Sequence, residues 1–196
     1  MKCKQSLPEG YCEIYSVNLQ KDKKIAVLVN FLALVIAVPL AIIGHFIVPI
    51  STLYQFESLK EYILKVCVIL GGIVVYMILH ELIHGITMKI FGTRKVKYGF
   101  TGLYAYAGSD DYYNKKSYII IALAPIVVWG IIIGIINLLV PDEWFWSVYF
   151  IQIANLSGAA GDLFVTFKFL KMPKDILVRD SGIGMTVYSA QSVTKN

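Results

Sequence analysis

Four long apolar stretches, separated by short polar segments, dominate the pattern of this chain. They cover, in order, residues 25–50, 62–91, 118–140 and 145–170. Each is long enough to cross a bilayer as a helix, so the pattern predicts an all-α membrane protein, a single integral membrane domain with four transmembrane helices. A polar head (residues 1–24) precedes these helices and a small polar tail (171–196) follows them. Trp144 and Trp146 stand where an interfacial aromatic belt is expected.

The first apolar stretch follows a lysine-rich head and differs from a secretory signal peptide. It is too long for the apolar core of a signal peptide, and no small-residue cleavage site of the usual kind follows it. We therefore expect it to be retained as the first transmembrane helix.

Two polar segments have the pattern of short β-hairpins. Between the second and third helices, residues 96–100 and 103–107 flank a Thr-Gly pair that favours a tight turn. In the tail, residues 176–178 and 183–188 bracket Asp180-Ser181-Gly182, which is a weaker pattern of the same kind. We predict a cytoplasmic hairpin between helices 2 and 3 and consider a second one in the tail.

The basic residues divide unevenly between the two sides of the predicted membrane. The head, residues 93–117 and the tail from Lys168 each contain five Lys or Arg, whereas the two opposite loops contain only Lys60. This positive-inside distribution predicts an integral multi-pass protein of the cell membrane with both termini cytoplasmic. It also accounts for the net charge of +5 without a nucleic-acid partner, so we expect the lipid bilayer as the surroundings and no nucleic acid.

The cysteines do not form a recognisable metal or disulfide pattern. Cys3, Cys12 and Cys67 show no CxxC spacing, and their odd number leaves at least one unpaired. The 57% hydrophobic composition and a mean hydropathy of +0.66 fit a membrane protein rather than a disulfide-rich domain.

The second apolar stretch contains the motif His80-Glu81-Leu82-Ile83-His84. Positions i and i+4 of a helix share one face, so the two imidazoles can bind one metal ion while Glu81 lies beside the open coordination position. The alternative is that the histidines only hydrogen-bond to neighbouring helices. Burying all three groups at membrane depth costs on the order of several kcal/mol without partners, and a divalent cation is a partner for each. The motif therefore predicts a Zn²⁺ site, with Glu81 as its catalytic residue.

A catalytic zinc requires a third protein ligand from the same membrane depth. Only two acidic residues lie inside the apolar stretches, Glu81 and Asp162. At 1.5 Å rise per residue, the motif and Asp162 both lie roughly 30 Å along their helices, which predicts Asp162 as the third ligand. In the alternative interpretation, Asp162 is a helix-end carboxylate that reaches toward water or Lys168.

Two further features surround the predicted ligand. Asn155 precedes Asp162 by two helical turns, so it is a candidate contact for a substrate or transition state, with a simple interhelical hydrogen bond as the alternative. Residues 157–161 are small, and small residues let helices approach closely. We therefore expect helices 2 and 4 to be adjacent through Gly85 and the Gly158–Gly161 part of this run.

The motif, Phe91-Gly92, Ala124-Pro125, Asn155 and Gly161-Asp162 together carry a family resemblance. In this order they resemble the core of site-two-type intramembrane metalloproteases and, more closely, the small multi-pass bacterial proteins known as putative zincin peptidases. The resemblance implies zinc held by His80, His84 and Asp162, with Glu81 as general acid and base. The chain differs from site-two proteases in that a glycine precedes the aspartate instead of following it.

Two functions follow from these patterns. The first is an intramembrane zinc metallopeptidase that hydrolyses a membrane-embedded or juxtamembrane bond of a membrane-protein or peptide substrate. The alternative is a non-hydrolytic metal-binding membrane protein, either a transporter or a regulatory partner. Transporters with a similar helix need more spans and further intramembrane ligands, of which this chain has few.

Overall fold

The computed structural model of the chain describes residues 2–18, 21–102 and 104–190. It is mostly helical, with four helices long and apolar enough to span a membrane, and it contains a small antiparallel sheet. Those parts of the predicted head, first hairpin and tail that fall on residues 1, 19–20, 103 and 191–196 lie outside the described residues.

The four apolar stretches are helical, and their ends differ from the predicted ends by three residues or fewer. The helices are α1 (Lys23–Ile47), α2 (Leu59–Ile90), α3 (Lys115–Leu139), α4 (Asp142–Gly158) and α5 (Ala160–Leu170). A short 3₁₀-helix, Ile50–Tyr54, follows α1. The hydropathy pattern therefore predicted each of these long helices.

The fourth apolar stretch is interrupted, which the prediction of one continuous helix missed. Helix α4 ends at Gly158, and Ala159, with φ −82° and ψ 15°, separates it from α5. Glycine is a weak helix former, so the small-residue run is a place where a helix can end at low cost. The break leaves Asp162 in the first turn of α5.

The prediction of an all-α fold with one hairpin and a weaker second pattern was too simple, because the described residues form six strands. They are β1 (Tyr11–Val17), β2 (Lys97–Phe100), β3 (Ala105–Gly108), β4 (Tyr112–Asn114), β5 (Leu177–Asp180) and β6 (Met185–Ala190). The predicted hairpin between α2 and α3 is β2–β3, and the weaker pattern in the tail is β5–β6. The missed part is the four-stranded antiparallel sheet β1-β6-β5-β4, in which β1 comes from the head.

The chain divides into two compact units. One unit contains the residues up to Val27, the segment Glu81–Ala124 and the residues from Asp162 onward. It holds all six strands. Its core is built from fully buried side chains of the sheet and of the adjoining helix ends, namely Met88, Tyr113, Phe169, Ile176, Val178 and Val187.

The other unit consists of Leu28–His80 and Pro125–Gly161 and has an aromatic core. Trp146 is completely buried, and its indole Nε1 donates a hydrogen bond to the Val48 carbonyl at 3.0 Å. It is therefore a core residue and not part of an interfacial belt. The belt prediction was wrong for Trp146 because spacing along the chain does not show which face of a helix is covered.

The glycines that bring elements together differ from those expected. A Cβ on Gly72 of α2 would collide with Ile151 of α4, whereas a Cβ on Gly158 or Gly161 would meet nothing within 4 Å. A Cβ on Gly85 would collide with the Tyr98 hydroxyl of β2. Helices 2 and 4 are therefore adjacent as predicted, but they meet at Gly72 and not at the predicted glycines Gly85, Gly158 and Gly161. Gly85 instead accommodates the hairpin.

Candidate metal centre

The two motif histidines lie one turn apart on the same face of α2, and each is only 8% exposed. Each of His80, His84 and Asp162 offers one ligand atom, and these three atoms all lie within 4.8 Å of one another. The spacing of His80 and His84 is a direct consequence of helical periodicity. Asp162 reaches the same point from the first turn of α5.

The Ile121 carbonyl determines which nitrogen of His84 can bind a metal. Its Nδ1 lies 2.9 Å from the Ile121 carbonyl, which can only accept a hydrogen bond, so Nδ1 carries the proton. The lone pair of the neutral ring is then on Nε2, which lies 3.5 Å from Asp162 Oδ1. Two ligand atoms of a tetrahedral zinc, each about 2.0–2.1 Å from the ion, are separated by roughly 3.4 Å.

His80 is supported through a tyrosine one turn earlier on α2. The Tyr76 hydroxyl lies 2.7 Å from His80 Nδ1 and donates to the Asn155 carbonyl at 3.3 Å. With the hydroxyl proton assigned to the Asn155 carbonyl, the hydroxyl accepts from the imidazole, and this assignment places the His80 proton on Nδ1. Both histidines therefore have the same outer support, an Nδ1–H bonded to an oxygen, which leaves Nε2 as the ligand atom.

The donor set fits zinc. Two neutral imidazoles and one carboxylate are the ligands of many catalytic zinc sites, and three protein ligands leave a fourth position open. The three cysteines are free and lie elsewhere in the chain, so no thiolate competes as a ligand among the described residues. His80, His84 and Asp162 would hold the ion.

Lys168, toward which the alternative interpretation directs Asp162, has a different contact in the structure. The Lys168 ammonium lies over the Tyr15 ring, 3.9 Å from its centroid, as a cation–π contact. The Asp162 carboxylate instead faces His84.

Glu81 lies next to these ligands and is partly buried. Its carboxylate interacts electrostatically with His84 and Asp162, and the backbone N–H of Ala107 in β3 interacts with it as a hydrogen-bond donor. The Thr101–Tyr104 pair at the turn is hydrogen-bonded, and bonded and non-bonded pairs alternate along a hairpin. The backbone groups of Ala107 therefore point away from β2, which is consistent with its contact to Glu81.

Asn155 is completely buried, but its side chain is directed at α3. Its Nδ2 lies 3.5 Å from the Ile126 carbonyl, and its Oδ1 has no hydrogen-bond partner among the residues that the structure describes. Its main-chain carbonyl accepts the Tyr76 hydrogen bond and thereby contributes to the support of His80. Contact with a substrate or transition state stays a prediction for the Asn155 side chain.

Several groups around the site were not identified as functional from sequence. The Tyr118 hydroxyl of α3 donates a short hydrogen bond to Asp180 Oδ2 at the end of β5. Burial raises the pKa of the Asp180 carboxyl, and hydrogen bonds from Tyr118 and Gly182 oppose that shift. Tyr76 had a recognisable signal, because it precedes His80 by four residues on the helix. Asp180 had none beyond its place in a predicted turn.

A buried hydroxyl network adjoins the end of β3. Tyr113 is fully buried, and its hydroxyl lies 2.6 Å from Ser109 Oγ and 2.5 Å from Thr93 Oγ1. Burial raises the pKa of Tyr113 to about 12, so its hydroxyl stays protonated at neutral pH. The network anchors the segment between β3 and β4 to the end of α2.

Comparison with known proteins agrees with this geometry. A family model described as "Putative zincin peptidase" matches residues 73–177, more than half of the chain. The chain belongs to this family. The matched segment includes the motif and Asp162, and membership in a zincin family indicates zinc and metallopeptidase activity.

One curated relative of this zincin-family chain is an uncharacterized 24.7 kDa protein in the gap 5′ region of Pyrococcus woesei. The two are 32% identical over 115 residues, which are 56% of this chain and 50% of the relative. The match thus spans half the length of that relative. No solved structure matches the chain.

Proposed function

We propose that this chain is an intramembrane zinc metallopeptidase that hydrolyses a membrane-embedded or juxtamembrane peptide bond. The observation that carries the proposal is the convergence of the His80, His84 and Asp162 ligand atoms within 4.8 Å, with Glu81 beside them on α2. Family membership supports the peptidase chemistry, and the four apolar helices support its location in a membrane.

The residues of the chain divide the reaction between them. Zinc held by His80, His84 and Asp162 would supply Lewis-acid polarisation of the scissile carbonyl and activation of a water molecule. Glu81 takes a proton from the attacking water while the water oxygen bonds to the carbonyl carbon. Glu81 then delivers that proton to the leaving amine as the C–N bond breaks. Tyr76 and the Ile121 carbonyl keep the two imidazoles oriented throughout.

The substrate is proposed to be a membrane protein or peptide bound in an extended form. A peptide bond inside a helix is poorly accessible to attack, whereas an extended segment can add to a strand edge. The hairpin β2–β3 offers such an edge, and its residue Ala107 lies beside Glu81. A strand paired there is brought next to the proposed general base.

Conversion of Glu81 to Gln tests the reaction. Purified wild-type chain in detergent is incubated with a pool of single-span membrane peptides, and cleavage is followed by mass spectrometry. We expect zinc-dependent cleavage by the wild type and a loss of at least about 10²-fold in Glu81→Gln, because the amide cannot accept the proton. Full cleavage by Glu81→Gln would show that Glu81 is not the general base. Zinc flux in proteoliposomes without cleavage favours a transporter instead.

We also propose that both termini are cytoplasmic and that the protein resides in the cell membrane. The basic residues of the head, the segment 93–117 and the tail support this orientation. The sheet joins strands from these three segments, which four crossings of a membrane leave on one side. Cys12 in β1 is exposed, so a variant keeping Cys12 alone can be labelled. An impermeant maleimide should label it in inside-out vesicles only, and labelling of intact cells contradicts the orientation.

A further inference from the structure

The turn of the β5–β6 hairpin contacts β3, the strand whose residue Ala107 lies beside Glu81. This turn, residues 180–184, connects β5 to β6. The Asp180 carbonyl accepts a hydrogen bond of 2.7 Å from the Ser109 backbone N–H, directly after β3. The approach is close, since a Cβ on Gly108 would collide with the backbone of Ser181 and Gly182.

The carboxylate of Asp180 joins this turn to α3. One oxygen accepts the short hydrogen bond from the Tyr118 hydroxyl, and the other accepts the Gly182 backbone N–H at 2.8 Å. Gly182 has φ +84°, where a side chain is strained, and a Cβ there would collide with the Tyr106 ring of β3. A single residue thus holds three elements together, namely α3, β3 and its own turn.

The effect of this contact reaches Glu81 through Ala107 of β3 and Ser109, which directly follows that strand. Ser109 is held by the Asp180 carbonyl, and Ala107, two residues earlier on the same outward edge, interacts with the Glu81 carboxylate. The charge of Asp180 also acts on Glu81, His84 and Asp162. We propose that Asp180 is a positioning residue, which, with Tyr118, holds β3 so that the Ala107 N–H orients Glu81. This inference rests on the proposed role of Glu81 as the general base.

The control residue is Asp175, which precedes β5 in the same tail. Its carboxylate accepts hydrogen bonds from the Ser189 hydroxyl and the Ala190 backbone N–H, so it contributes to the end of the hairpin opposite the 180–184 turn. Replacing it removes a tail carboxylate with two hydrogen bonds and leaves the Asp180 contacts in place.

Hydrogen exchange of the full-length chain in detergent, read by mass spectrometry, tests the proposal without any substrate. We expect Asp180→Ala to raise amide exchange of residues 105–109 by about tenfold or more, with strand β6 remaining protected. Asp180→Asn should restore most of the protection, because the amide oxygen still accepts the Gly182 N–H. Asp175→Ala should leave residues 105–109 as in the wild type. If Asp180→Ala does not fold, Tyr118→Phe decides, with a smaller increase expected in the same peptide.

Zinc affinity, measured with Zn²⁺ alone against a chromophoric chelator, separates positioning from ligation. Asp180→Ala and Tyr118→Phe should stay within about threefold of the wild type, since the three ligands are unchanged. The inference is wrong if Asp180→Ala leaves the amide exchange of residues 105–109 unchanged, or if Asp175→Ala raises that exchange equally. It is also wrong if Asp180→Ala loses as much zinc affinity as Asp162→Ala. These results are independent of whether Glu81→Gln still hydrolyses peptides, which concerns the proposed function itself.

Discussion

Tyr76→Phe removes one oxygen atom and tests whether outer support of a histidine tunes the metal site. The lost hydroxyl lies 2.7 Å from His80 Nδ1 and donates to the Asn155 carbonyl at 3.3 Å. Without it, the His80 ring loses the partner that fixes its tautomer and orientation. Loss of such a partner lowers metal affinity by about 10–100-fold. At 1.4 kcal/mol per factor of ten, this corresponds to about 1.4–2.8 kcal/mol.

The matched control is Tyr149→Phe, which removes a hydroxyl that donates to the Leu40 carbonyl at 2.9 Å, remote from the ligands. Each replacement is expected to lower the free energy of unfolding by about 1 kcal/mol through the lost hydrogen bond. Only Tyr76→Phe should weaken zinc binding in a competition titration with a chromophoric chelator. If it binds zinc as tightly as the wild type, or if Tyr149→Phe loses as much affinity, the proposed support of His80 is wrong.

Three further predictions concern helix packing, the stabilisation of the fold by bound zinc, and the role of Asn155. Gly44→Ala places a methyl group against the buried Tyr149 ring and should lower the free energy of unfolding by about 1–3 kcal/mol, measured by thermal unfolding. Its control is Gly71→Ala, whose methyl group meets open space and should leave stability unchanged or raise it. Excess zinc at about 100 times its Kd should stabilise the wild type by about 2.7 kcal/mol, an effect that chelator and His84→Ala should abolish. Asn155→Ala retains the main-chain carbonyl that supports Tyr76, so its zinc affinity should stay within about threefold of the wild type. A fall in peptide cleavage by that variant at full zinc occupancy identifies the side chain as a substrate contact, and unchanged cleavage excludes it.

The helices and the local geometry of the motif could be predicted because both depend on neighbouring residues. Long apolar runs define the four helical stretches, and the i, i+4 spacing places His80 and His84 on one face of α2. Asp162 was selected by elimination and by depth along the helix. The structure brings these three together, although a helix break just before Asp162 was not expected.

The sheet and the support of the site could not be predicted because they depend on residues far apart in the chain. β1 pairs with β6 so that Tyr11 lies opposite Ala190, and no local pattern specifies a register across that separation. For the same reason, no local pattern predicted the contact of Asp180 with Tyr118. Gly85 was assigned to helix packing because its spacing does not show whether a helix or the Tyr98 hydroxyl faces it.

The bound metal and its ligands in the purified full-length chain are the most direct test of the central claim. Metal analysis combined with zinc X-ray absorption should show about one zinc per chain in the wild type and in Glu81→Gln, held by nitrogen and oxygen at about 2.0–2.2 Å. Asp162→Ala should lose most of this zinc, because two neutral imidazoles cannot replace the charge of the carboxylate. Full zinc in Asp162→Ala, or sulfur among the ligands, would contradict a site formed by His80, His84 and Asp162.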